Sequence, residues 1–78
     1  MAITAIKRSK NSLINFGRRV AEIRKQLGWS QEKLALESGL ARSYLGGIER
    51  GQRNVALLNI VRIADTLDVA VAELFLSD

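Results

Sequence analysis

Neither cysteine nor histidine occurs in the 78-residue sequence. Without cysteine there is no disulfide framework and no thiolate to hold a metal. Without histidine the commonest general base and the commonest metal ligand are both missing. The serine, tyrosine, lysine and carboxylate side chains form no spaced nucleophile–base set, no glycine-rich phosphate loop and no metal cluster. An enzyme is therefore not expected, and no cofactor is assigned. Long apolar runs are lacking too. The opening MAITAIKRSK is too short in apolar residues for a signal peptide, and nothing approaches a membrane span, so no membrane partner is expected and the default compartment is the cytoplasm. Repeats and low-complexity tracts are absent.

Apolar residues make up 47% of the chain, which argues against disorder. The length fits one domain whose core is marginal alone, and dimerisation is a common remedy. The net charge of +4 and a pI of about 10.1 favour an acidic partner, nucleic acid or anionic membrane. The placement of charge is more telling. Lys7, Arg8 and Lys10 fall near the N-terminus, Arg42, Arg50 and Arg53 in the middle, and the acids Asp65, Asp68, Glu73 and Asp78 at the far end.

The stretch Gln31–Arg50 predicts two short helices and a tight turn. Ser30 is a good N-cap, and Trp29 and Leu34 flank it with the spacing of a hydrophobic staple. Leu34 and Ala35 face inward, and small Ala35 allows close approach of two helix backbones. Gly39 ends the first helix. A second helix over Arg42–Arg50 puts Leu45 and Ile48 on one face and stops at Gly51. This is the bihelical corner of a helix-turn-helix.

Before it, Leu13, Phe16, Val20, Ile23 and Leu27 step by three or four residues and predict helix 1 over Leu13–Leu27, capped by Ser12, with Arg18, Arg19, Glu22 and Lys25 on its wet side. Residues 1–12 read as a flexible basic arm, either a frayed end or a minor-groove or phosphate contact, and residues 13–78 as the domain. After the motif, Leu57–Leu67 predicts helix 4 with Leu57, Ile60, Val61, Ala64 and Leu67 inward. A short helix 5 follows over Val71–Leu76.

The order Ala35, Gly39, Leu45, Ile48, with Gln31 leading and Ile48-Glu49-Arg50-Gly51 closing, resembles the phage-repressor and Cro-like (XRE) family. With Gly28-Trp29-Ser30-Gln31 before it and Val69-Ala70-Val71-Ala72-Glu73-Leu74-Phe75 after, the resemblance covers about residues 13–76. The run Gln52-Arg53-Asn54-Val55 is similar to controller proteins of restriction–modification systems. The resemblance implies an all-α, five-helix, lambda-repressor-like DNA-binding domain whose helices 2 and 3 form the motif. It also implies an ion pair between Arg24 and Glu49, and a Gln31 that touches the phosphate backbone and braces the recognition helix.

On such a motif, Arg42, Ser43 and Tyr44 in the first turn of the second helix are the expected base contacts, with Arg42 suited to guanine O6 and N7. Gln31, Arg50, Arg53 and Asn54 are the expected phosphate contacts. Gly46 and Gly47 are expected on the outer surface, either for close approach to DNA or without a role. The partner is then double-stranded DNA, bound as a homodimer on a near-palindromic operator, with no small-molecule effector expected. Leu58, Val71, Leu74, Phe75 and Leu76 are the expected dimer interface. The other reading leaves Leu74 and Phe75 folded back onto the core. An antitoxin-like protein-interaction module is the alternative function, since fold does not fix function.

Overall fold

The computed structural model describes the backbone of residues 2–76 and the side chains of residues 11–76. Its elements, in order, are α1 (Ala2–Gln26), α2 (Gln31–Ser38), α3 (Arg42–Glu49), α4 (Leu57–Leu67) and a short 3-10 helix (Val71–Phe75). The architecture is all-α, but the fifth element is a 3-10 turn rather than an α-helix. It has five residues, starts at an Ala70 that offers no side-chain cap, and opens with an i to i−3 bond from the Glu73 amide to the Ala70 carbonyl, 2.9 Å.

The first helix starts well before the expected Leu13. Ser12 lies inside it and is not its cap. Nothing in residues 2–12 breaks a helix: there is neither glycine nor proline, so backbone preference carries the helix beyond the point where its core stripe begins. The side chains of residues 1–10, including Lys7, Arg8 and Lys10, lie outside the described residues. At the other end, Leu27 falls past Gln26 and is exposed rather than in the stripe.

Phe16, Val20 and Ile23 of α1 meet Leu34 and Ala35 of α2, Leu45 and Ile48 of α3, Ile63, Ala64 and Leu67 of α4, and Leu74 of the 3-10 helix. On α4 the inward stripe differs from the expected one. Ile63 is fully buried and Leu57 is 69% exposed. The helix is apolar on more than one side, so periodicity alone does not choose its inner face. Burial selects Ile60, Ile63, Ala64 and Leu67, one stripe at i, i+3, i+4 and i+7.

Gly17 brings α1 against α3, since a Cβ there would run into the Ile48 carbonyl oxygen. Arg19, expected on the wet side of helix 1, ties the chain's end down instead. Its Nε donates to the Glu73 carbonyl at 2.8 Å, and its guanidinium lies 3.3 Å from the Glu73 carboxylate and 3.4 Å from Glu22.

Candidate nucleic-acid interface

The two helices of the motif are set by local chemistry. The Ser30 hydroxyl accepts from the Lys33 amide at 3.0 Å, closing the start of α2. Gly39 then adopts φ 74°, a left-handed conformation that favours glycine, and its amide bonds the Ala35 carbonyl. Trp29 packs on the core with the Lys33 ammonium 4.9 Å from its ring centre.

What holds α3 against the rest is a polar knot around Glu49. Arg24 Nε and Nη2 donate to the two carboxylate oxygens at 2.8 and 2.9 Å, while its Nη1 donates to the Trp29 carbonyl at 2.8 Å. Gln31 Nε2 adds a third bond to Glu49, 2.9 Å. The Arg24 and Glu49 side chains are only 9% and 5% exposed. The hydrogen bonds it donates to Glu49 hold the Arg24 guanidinium above its ordinary pKa, against the opposing pull of burial. Every arginine N–H direction used here meets an acceptor, so the buried charge is compensated. Four segments, α1, the loop before α2, α2 itself and the end of α3, are thereby locked in one arrangement.

The outer side of α3 carries the residues expected to meet DNA. Arg42 and Ser43 are exposed in its first turn, and Arg42 is 3.9 Å from the exposed Glu32 carboxylate, a contact that contributes little. Tyr44 is half-buried. Its ring packs on the core and its hydroxyl accepts from Asn59 Nδ2 of α4 at 3.3 Å. Arg50, Arg53 and Asn54 are exposed. Gln31 gives one of its two amide hydrogens to Glu49, and its amide oxygen lies beside Gly46.

Gly46 and Gly47 are buried, contrary to the expectation that they lie bare on the surface. They are covered by side chains from residues that follow. A Cβ on Gly46 would lie 3.2 Å from Arg50 Nη1 and 3.8 Å from Gln31 Oε1. One on Gly47 would lie 2.9 Å from Arg53 Cγ and 3.1 Å from its Nε. The paired glycines therefore leave a groove across the second turn of α3, filled at Gly47 by the Arg53 stem and at Gly46 by the guanidinium end of Arg50. Gln31, Arg50 and Arg53 converge there, beside the Arg42–Tyr44 turn.

The expected dimer residues separate into two groups. Leu58 is 80% exposed, Phe75 58% and Leu76 55%. Leu74 is fully buried and cannot be an interface residue, and Val71 is half-buried against the core. A 3-10 helix repeats every three residues, so Val71 and Leu74 share its inner face and Phe75 turns out of it. Phe75 still stacks obliquely on Phe16, ring centres 5.2 Å apart, so it is partly folded back.

Asn59 and Arg19 were missed by sequence reasoning. No spacing rule joins Asn59 to Tyr44, because their contact depends on how α4 crosses α3. Among the described residues no cluster of His, Cys, Asp or Glu could hold a metal, and no helix is long and apolar enough to cross a membrane.

Comparison with known proteins agrees with this geometry. The chain is 45% identical over 67 residues to control protein C.BamHI of Bacillus amyloliquefaciens, spanning 85% of this chain and 83% of that one. Its structure superposes with a TM-score of 0.79 on the restriction–modification controller protein C.AhdI from Aeromonas hydrophila, at 57% identity, covering 81% of this chain and 96% of that one. The TM-score is 0.74, at 35% identity, to the controller protein C.Esp1396I as a tetramer in complex with its natural 35 base-pair operator, covering 81% and 83% of the two chains. The helix-turn-helix family model matches residues 20–74, spanning α2, α3, α4 and most of the 3-10 helix, and the chain belongs to that family.

Proposed function

We propose that this protein is a sequence-specific, double-stranded-DNA-binding transcriptional regulator that acts as a homodimer on a near-palindromic operator. In this reading α3 enters the major groove. Arg42, Ser43 and Tyr44 read base edges, with Arg42 bidentate to a guanine. Gln31, Arg50, Arg53 and Asn54 contact phosphates and set the register. The observation that carries the reading is the convergence of Gln31, Arg50 and Arg53 on the second turn of a helix that is clamped from behind by Arg24 and Glu49. A helix clamped from behind, with Arg42 at its start and Arg50 and Arg53 just past its end, meets the requirements of groove binding. The similarity to control proteins, and the operator complex of C.Esp1396I, support it.

The proposed dimer face uses Leu58, Phe75 and Leu76, joined by Leu57, all exposed large apolar side chains that a monomer would leave in water. A two-fold pairing of these faces would set two α3 helices about 34 Å apart, one DNA turn. No ligand is needed for control, because dimerisation makes occupancy steep in protein concentration.

Selection of bound duplexes from a random pool tests the first part. A near-palindromic consensus is expected, and recovery of unrelated sequences would refute specific reading. Sedimentation equilibrium tests the second, comparing wild type with the Leu58→Glu, Leu76→Glu double variant at tens of micromolar, about where weak dimers still form. Wild type should be dimeric and the variant monomeric. A monomeric wild type would refute the dimer, and an equally dimeric variant would move the interface elsewhere.

A further inference from the structure

Asn59 lies on α4, outside the helix-turn-helix, yet its side chain ends on the hydroxyl of Tyr44. Its backbone amide is already engaged by the Ala56 carbonyl at 2.9 Å, and the start of α4 carries no side-chain cap bond. An asparagine in a first helical turn commonly bonds locally. Here the amide instead spans fifteen positions to a residue of the recognition helix.

The direction of that bond decides what Tyr44 can offer. A phenol oxygen can accept, and it has one hydrogen to donate. With Asn59 Nδ2 as donor, the oxygen is the acceptor, and the phenol's own hydrogen is left for an outside partner. The ring cannot swing away to compensate, because it packs on the core. Tyr44 is thus held as a fixed hydrogen-bond donor next to Arg42 and Ser43. The complementary group is an acceptor on DNA, a phosphate oxygen or a base oxygen or ring nitrogen.

We propose that Asn59 is a positioning residue for DNA recognition: it fixes the Tyr44 hydroxyl as an outward donor. This rests on the regulator reading above. It also links α4 to the reading surface, since Leu58, the neighbouring residue, is highly exposed on the proposed dimer face. A substitution on α4 can then alter binding without touching DNA itself.

The test uses Asn59→Ala, Tyr44→Phe and the double variant, with binding measured on the selected duplex and on a random one. Asn59→Ala should weaken cognate binding about fivefold, the loss of one hydrogen bond's ordering, and leave random binding nearly unchanged. In the Tyr44→Phe background the same change should have no further effect. Tyr44 is the sole tyrosine, so the intensity ratio of the tyrosine Raman doublet reports its hydroxyl alone. That ratio should shift in Asn59→Ala with no DNA present, because the phenol oxygen loses the amide it accepts from, and an unchanged ratio would overturn the inference. An Asn59→Ala variant that binds the selected duplex like wild type, or that loses the same factor in the Tyr44→Phe background, would overturn the inference alone. A wild type that selects no duplex would overturn the regulator reading and this inference with it.

Discussion

Replacing Gly47 with alanine should raise or preserve stability and yet weaken DNA binding. Alanine in a helix interior is favoured over glycine by about 1 kcal/mol. The new methyl, however, would sit 2.9 Å from Arg53 Cγ, near the root of that side chain, and 3.5 Å from Cδ. The stem cannot yield at its tip, so Arg53 must leave the groove for another rotamer. Because Arg53 is exposed, that move loses only part of its stem packing, well under the helix gain. Net stability should change by roughly 0 to +1 kcal/mol. Removal of one charge-assisted contact to DNA is worth about 1.5–3 kcal/mol, at least a tenfold loss of affinity. Gly46→Ala is the control. There the nearest atom is the flexible end of Arg50, at 3.2 Å, which can give way, so stability should rise with a smaller loss of binding. Unfolding in urea followed by the single tryptophan gives stability, and fluorescence anisotropy on a labelled operator duplex gives affinity. A methyl that strikes DNA directly would also weaken binding, and the Arg53→Ala background separates the two. If Arg53 displacement is the cause, Gly47→Ala adds no loss there. An undiminished loss in that background, or full affinity in the single variant, would refute the groove argument.

Other substitutions probe the remaining parts. Arg24→Ala or Glu49→Ala should each cost about 3–5 kcal/mol in chemical unfolding, since each leaves a buried charge unpaired, and the double variant should cost clearly less than their sum; additive losses would contradict the pairing. Arg42→Ala should weaken cognate binding by about 1–3 kcal/mol with little loss on random DNA, whereas Arg53→Ala should weaken both and flatten the salt dependence. Equal losses for Arg42→Ala on both duplexes would remove it from base reading. Asp68 closes α4 at φ 58°, where glycine has no Cβ penalty, so Asp68→Gly should raise the thermal midpoint by the equivalent of about 0.5–1 kcal/mol.

The motif was legible because its signals are local. Ser30 bonds an amide three residues away, and Gly39 takes the conformation its missing Cβ allows. The partnership of Arg24 with Glu49 came from resemblance, and the spacing on helix 1 only placed Arg24 beside the core. What stayed hidden depends on tertiary placement. Gly46 and Gly47 look bare on a helical projection, but long side chains from Arg50 and Arg53 fold back over them. Leu57 and Ile63 are equally apolar, and only the crossing of α4 over the core separates them. Leu74 and Phe75, expected together at the interface, part company because a 3-10 turn has a period of three, which a helical pattern of 3.6 does not anticipate. The start of α1 escapes the apolar pattern for the opposite reason. A core stripe marks where a helix is buried, whereas backbone preference decides where it begins.

A recognition helix built this way has little stability of its own. α3 has eight residues, below the length at which isolated helices persist, and two of them are glycines that together weaken it by about 2 kcal/mol. Its N-cap, Ala41, makes no side-chain bond. Against this, Leu45 and Ile48 are almost wholly buried, each contributing about 1.5–3 kcal/mol, and Glu49 receives three hydrogen bonds from α1 and α2. The helix therefore exists only while the core and the Glu49 knot exist. It cannot fray independently, because releasing it would expose Leu45 and Ile48 and strand Arg24. Native-state hydrogen exchange gives the measurement. The Ile48 amide should exchange with the free energy of global unfolding, and so should those of Val20 and Leu34 in the helices that α3 joins. The Glu73 amide should exchange far more readily, since its i to i−3 bond lies in the first turn of a 3-10 helix only five residues long. Exchange of Ile48 at a free energy well below the global value would mean that α3 opens alone. The reading surface would then be an adaptable element ordered by DNA rather than one preformed by the fold.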